Sequence, residues 1–287
     1  MLRSGFGGRE GQKSARSAGK IRVADKSGDF LSLVRDIAGT DLLFCVDALS
    51  INNVAIGDNV TAWNDACGVW STNFAESTNP PTLGVYNGKR VVSFPGTKYM
   101  SSAATVSQLS GKSELTILWF QIDNSSANFA TVLEMDTSYA NANNFILGSQ
   151  TDSTNFSIYI ALRQNDGAAV YNEGAIDDAF ADASLPLVPA AVFTRGAGTG
   201  KNTCVKPYVN GTPVPDGSIY STVAGNTANN FANKTFFLGS RNSGSSIFNG
   251  SFGCFIAIMR SLTTGEVSRL SAAMLDRWNV GNGAARV

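Results

Sequence analysis

The chain has 287 residues, 43% of them hydrophobic and only 15% charged, with 22 basic and 22 acidic side chains and no histidine. That is too apolar for a disordered chain and enough for a sizeable core in one all-β domain. The balanced charge gives no footprint for nucleic acid or an anionic membrane, and the lack of histidine excludes Ser-His-Asp and Cys-His nucleophiles and His-ligated zinc.

The balance hides an asymmetry. Residues 1–22 carry Arg3, Arg9, Lys13, Arg16, Lys20 and Arg22 against one acid, Glu10. This Gly/Ser-rich stretch has no periodicity and no apolar stretch of the kind a secretory signal carries. It reads as an arm that orders against a partner, with a floppy tail as the alternative. The segment DFLSLVRD (29–36) then puts Phe30, Leu31 and Val34 on a short helical face, as a docking segment or a linker. Residues 1–40 are therefore taken as arm and linker, and 41–287 as one body. No apolar run is long enough for a helix that spans a membrane.

From residue 41 short apolar runs are broken by Gly, Asn, Asp, Ser and Pro, the rhythm of an all-β fold. DLLFCVD (41–47) is the first strand. Asn87-Gly88 and Asn210-Gly211 predict hairpins, because this pair tolerates the positive φ of a type I′ turn. ELTILWFQI (114–122) is apolar on both faces, as in a central strand covered on both sides. NFSIYIALR (155–163) alternates, with Phe156, Ile158, Ile160 and Leu162 on one face and Tyr159 on the other. LVPAAVFTR (187–195), TFFLG (235–239) and SFGCFIAIM (251–259) complete the set, and Pro189 marks an edge or a strand start. RGAGTGKNT (195–203) has the look of a phosphate loop. It lacks the first glycine, which is Arg195, and joins two strands, so it reads as a hairpin loop.

One helix closes the chain. Thr263 and Glu266 have capping-box spacing, and Val267, Leu270, Met274 and Trp278 follow on one stripe. The four cysteines, Cys45, Cys67, Cys204 and Cys254, have no metal spacing. Cys45 and Cys254 lie in apolar runs and read as free buried thiols, with a disulfide as the alternative.

Five segments in order resemble the LamG-like members of the concanavalin A-like lectin/glucanase superfamily. They are LLFCVDALS (42–50), VTAWNDACG (60–68) with Trp63, Asp65 and Gly68, NPPTLGVYNGKRVVSFPGTKYM (79–100), VKPYVNGTPV (205–214) and the stretch from Phe236 to Val280. Pro80 and Pro95 depart from the family pattern. The resemblance implies an antiparallel jelly-roll sandwich with an extended N-terminal arm and one C-terminal helix. It does not imply one function.

Glucanases of the superfamily carry E-x-D-x-x-E on a strand. Here Glu134 and Asp136 are present and are expected on one face, but Tyr139 stands at the second Glu, leaving no proton donor for the leaving oxygen. The chain is therefore expected not to be an enzyme and to need no cofactor. For sugar stacking the candidates are Tyr139, Trp70 and Tyr171. Trp63 and Trp119 fall at core positions of the family pattern, and Trp278 on the helix stripe. For calcium the candidate oxygen donors are Asp136, Asn141 and Asn143.

A domain usually displayed outside cells, a chain without an export signal and a basic arm together point to a virion protein. The expectation is a structural protein on the outside of a tailed-phage particle, as capsid decoration or tail and fibre component. The arm would anchor it to other virion proteins and the sandwich would project outward. The alternative is a carbohydrate-binding module that recognises host surface glycan. Neither reading involves nucleic acid or membrane, and a homo-oligomer is left open.

Overall fold

The computed structural model describes residues 27–76, 78–124, 129–136, 144–151, 156–163, 171–176, 186–195, 205–215, 219–220, 230–241 and 246–280. The six basic residues of the arm lie outside these. The described strands form two antiparallel sheets. An eight-stranded sheet contains β1 (Leu42–Asp47), β4 (Thr82–Tyr86), β5 (Lys89–Phe94), β7 (Glu114–Asn124), β12 (Pro189–Thr194), β13 (Val205–Val209), β14 (Thr212–Pro213) and β17 (Gly250–Ile258). A nine-stranded sheet contains β2 (Ala62–Trp63), β3 (Phe74–Glu76), β6 (Met100–Ser102), β8 (Ala130–Met135), β9 (Phe145–Thr151), β10 (Phe156–Arg163), β11 (Tyr171–Ile176), β15 (Ile219–Tyr220) and β16 (Phe236–Leu238). Their orders are β14-β13-β12-β7-β17-β5-β4, with β1 paired to β17, and β15-β11-β10-β9-β8-β16-β6-β3-β2.

β7 shows why the fold has three layers. Leu115, Ile117 and Trp119 point into the core between the sheets, with Phe44, Phe74, Leu133 and Ile158. Leu118, Phe120 and Ile122 point the other way, into a second core under two helices. The two-sided apolar pattern of this strand is thus used on both sides. The helices are α1 (Ser27–Ala38) and α2 (Thr264–Arg277). The α2 stripe is as the spacing predicts: Val267, Leu270, Met274 and Trp278 are fully buried. Each such burial stabilises by about 1.5–3 kcal/mol. Thr263 and Glu266 make the capping box, the Thr263 hydroxyl accepting from Glu266 N–H and the Glu266 carboxylate from Thr263 N–H. Among the described residues no helix is long and apolar enough to cross a membrane.

α1 corrects the boundary placed at residue 41. Phe30, Val34 and Ile37 are buried against α2 and the eight-stranded sheet, so the folded body includes α1. Leu31, expected on the same face, is only partly buried. Three arginines fasten the helix. Arg260 Nη2 donates to Ile37 O at 2.6 Å while its guanidinium pairs with Glu266, the Arg277 guanidinium lies 4.7 Å from the Phe30 ring centre, and Arg35 Nη2 donates to Cys67 O at 3.2 Å.

Turn chemistry agrees with the sequence. Asn87 and Gly88 have φ of 49° and 74°, and Asn210 and Gly211 of 49° and 82°. A Cβ on Gly211 would come within 2.6 Å of the Ser268 backbone, so this hairpin packs flush on α2. Pro189 opens β12, which lies between β13 and β7, so it marks a strand start and not an edge. The strand orders end at β14 and β4 in one sheet, where β1 also has β17 as its one strand neighbour, and at β15 and β2 in the other. Cys45, Cys67 and Cys254 are free and buried, as expected, and Cys204 lies outside the described residues.

Candidate functional site

The eight-stranded sheet is covered by the core on one face and by the helices on the other. The outer face of the nine-stranded sheet carries no described helix; its outward Phe237, Glu134, Ile146 and Thr131 are buried, and Phe129 and Tyr159 are half-buried on it. Strand register lines up a row across it: Ser101, Phe237, Glu134 and Ile146. The neighbours of Phe237, Glu134 and Ile146 along β16, β8 and β9 enter the core, so these three face outward. Glu134 is nonetheless fully buried between two hydrophobic side chains. A carboxylate so placed needs a cation, and Arg241 supplies it, Nε lying 3.6 Å from Oε1 with the arginine side chain 30% exposed. At the end of the same strand Asp136, also buried, pairs with Lys234 Nζ at 2.9 Å. Each buried acid thus holds a half-exposed base, and Lys234 and Arg241 flank β16.

Two residues along β9 from Ile146, about 7 Å, the row Thr131, Gly148, Tyr159 crosses the same face. A Cβ on Gly148 would lie 2.4 Å from the Phe129 ring, so the missing side chain lets that ring lie on the sheet. There Phe129 meets Tyr159 edge-on, with ring centres 4.9 Å apart and both residues half-buried. The face therefore combines a partly exposed aromatic pair with cationic donors held by buried carboxylates. That is a surface able to stack on an apolar ring face and to hydrogen-bond hydroxyls.

Several residues singled out in the sequence lie elsewhere. Trp70 is only 6% exposed, its ring 4.7 Å from Phe44 and 5.2 Å from Phe74, so it belongs to the core and offers no face to a sugar. Tyr171 opens β11 opposite Arg163, and its side chain lies outside the described residues. Tyr139, Asn141 and Asn143 also lie outside them. Asp136 does not continue the strand alternation expected of it, because β8 ends at Met135 and Asp136 adopts φ of 93°. Its carboxylate is engaged by Lys234, and no three His, Cys, Asp or Glu side chains cluster as a metal site among the described residues. Phe129, Tyr159, Lys234 and Arg241 were not singled out. Two signals pointed to them: the outward Tyr159 on an alternating strand, and Gly148 in mid-strand, which marks close approach.

Fold and family agree. A family model described as concanavalin A-like lectin/glucanases superfamily matches residues 94–268, and the chain belongs to that superfamily. No match was found among curated proteins. Among solved structures, domain 4 of an extracellular arabinanase from Geobacillus stearothermophilus, in complex with arabinotriose, is similar at 14% identity and TM-score 0.51. That match covers 80% of this chain and 98% of that one. The binding domain of botulinum neurotoxin serotype D is similar at 10% identity and TM-score 0.54, covering 85% of this chain and 53% of that one. Botulinum neurotoxin type C, whose cell entry depends on interaction with two ganglioside molecules, is similar at 13% identity and TM-score 0.53, over 83% and 52%. At these identities the likeness is one of fold, and the chain spans about half the length of the neurotoxin chains.

Proposed function

We propose that the protein is a non-catalytic glycan-binding sandwich and that the sugar lies on the outer face of the nine-stranded sheet. The observation that carries this is the half-buried Phe129–Tyr159 pair on the same sheet face as Glu134 and its partner Arg241, the side opposite the helices. The arabinotriose complex and the ganglioside-dependent neurotoxin are sugar recognition on the same fold, which supports the reading. Glu134 and Asp136 are each neutralised by a base, an arrangement suited to holding donors in place and not to cycling a proton. The test is a glycan array followed by calorimetry on the full chain. The expected result is submillimolar affinity for at least one glycan, weakened about tenfold or more by Tyr159→Ala, since a stacked ring is worth more than about 1.4 kcal/mol when lost. An array without binders up to millimolar concentration overturns the reading.

A finer reading concerns where the module works. The basic arm precedes α1, in the helix layer on the side away from the proposed glycan face. An arm anchored there turns that face outward. This favours display on the outside of a tailed-phage particle, with the arm on capsid or tail proteins and host glycan as the ligand. Removing residues 1–26 is expected to abolish incorporation into particles while the sandwich stays folded. Normal incorporation of the truncated chain rejects the anchor.

A further inference from the structure

Cys45 and Cys67 are brought together by one carboxylate. Asp65 Oδ1 accepts from the backbone N–H of Cys45 at 2.8 Å and of Cys67 at 3.1 Å. Two nitrogens that share an oxygen at those distances are no more than about 6 Å apart, so the two cysteine backbones are neighbours in space. Ala66 N–H also donates to Cys45 O at 2.7 Å, which locks the loop of Cys67 onto β1. Both sulfurs lie in the second core, under α1. From these contacts we infer that Cys45 and Cys67 are a preformed disulfide site, reduced as the chain folds and closed by a small-molecule disulfide once the protein meets an oxidising medium.

The two thiols are not equivalent. Cys45 is fully buried on β1, whereas Cys67 is 8% exposed in the loop after β2, where Arg35 of α1 donates to its carbonyl. Side-chain hydrogen bonding with Cys45 lowers the Cys67 thiol from its ordinary range, and the same interaction, with burial, pushes the Cys45 thiol well up. Cys67 is therefore the attacking thiolate. It displaces one thiolate from a disulfide such as oxidised glutathione, giving a mixed disulfide. Cys45 then gives its proton to the departing glutathione thiolate and attacks the Cys67 sulfur. The protein loses two electrons and two protons, and the oxidant becomes two thiols. Cys254, opposite Asp47 on β17, is also buried, but no shared ligand ties it to the Cys67 loop.

The experiment uses the full chain, purified reduced and then incubated in native buffer with oxidised glutathione. Remaining thiols are alkylated and unreduced peptides are mapped by mass spectrometry. The expected result is a Cys45–Cys67 crosslink, with free thiols falling from four to two. The unfolding midpoint should rise by about 5–10 °C, as closure of a loop of this length implies. Cys67→Ser should abolish the crosslink and Cys204→Ser should leave it. Four thiols remaining, a glutathione adduct that never resolves, a crosslink to Cys254 or Cys204, or one that forms only in urea overturns the inference. So does a crosslink that lowers the midpoint, since it would be forced and not preformed.

Discussion

Asp65 receives four backbone N–H groups, from Cys45, Cys67, Val69 and Trp70, at 2.6–3.1 Å. That is why an acid in the Trp-x-Asp-x-x-Gly segment is structural and not a ligand. It also explains Trp70, which sits between Val69 and Ser71 and reads from sequence as an exposed loop tryptophan. The carboxylate folds the loop back and drives the indole under Phe44, and no local pattern reports such a long-range fold-back. Asp47 is a second buried acid, paired with Arg277. Burial raises its pKa and the Arg277 charge pulls it partly back. Arg277→Met should cost roughly 3 kcal/mol, because it leaves a buried carboxylate unpaired. The folded state holds the Asp47 proton more tightly than the unfolded chain does. The deficit is therefore expected to be smallest in acid and to grow as pH rises through the carboxylate range and the raised Asp47 pKa, in urea titrations at several pH values. Glu266 behaves the opposite way. Its hydrogen bonds to Arg260, then to Thr263, lower its pKa from 4.5 to about 2. Its stabilisation is present above pH 4.5 and is lost as pH falls toward 2, so Glu266→Gln should differ from wild type at neutral pH and match it near pH 2 in thermal melts.

At the scale of elements, those with strong periodicity or fixed turn chemistry were legible in the sequence. The α2 stripe with its capping box, the two Asn-Gly hairpins and the two-sided β7 all form as their residues dictate. The short strands β2, β3, β6 and β15, two or three residues each, were not, because alternation needs about four residues to show. The candidate site was legible only in part for a related reason. Glu134 and Arg241 lie more than a hundred residues apart in sequence and meet only through the β8–β16 pairing, which joins segments with no local signal for each other. α1 is the element that sequence left undecided, since its apolar face is short and only the partner surface on α2 and β1 settles its role. Removing residues 1–38 strips Phe30, Val34 and Ile37 from the second core. That truncation should lower the unfolding midpoint by roughly 10 °C in calorimetry, whereas removing 1–26 should leave it unchanged.

The whole molecule divides its labour by layer. The helices and the eight-stranded sheet enclose one core, and the two sheets enclose a second with most of the aromatic mass. The helices lie on one side, and the proposed glycan site lies on the opposite sheet. The sheet margins have a consequence of their own. Both margins of the nine-stranded sheet, β2 and β15, are two residues long. In the other sheet β14 is equally short and contains Pro213, which has no N–H to offer. β4 has part of its free margin taken by the 57–60 segment, through Gly57, Val60 and Leu83. These four end strands thus present no long row of unsatisfied amide groups on which a neighbouring chain might add a strand. Copies of this protein held side by side would find little at these four ends with which to zip together.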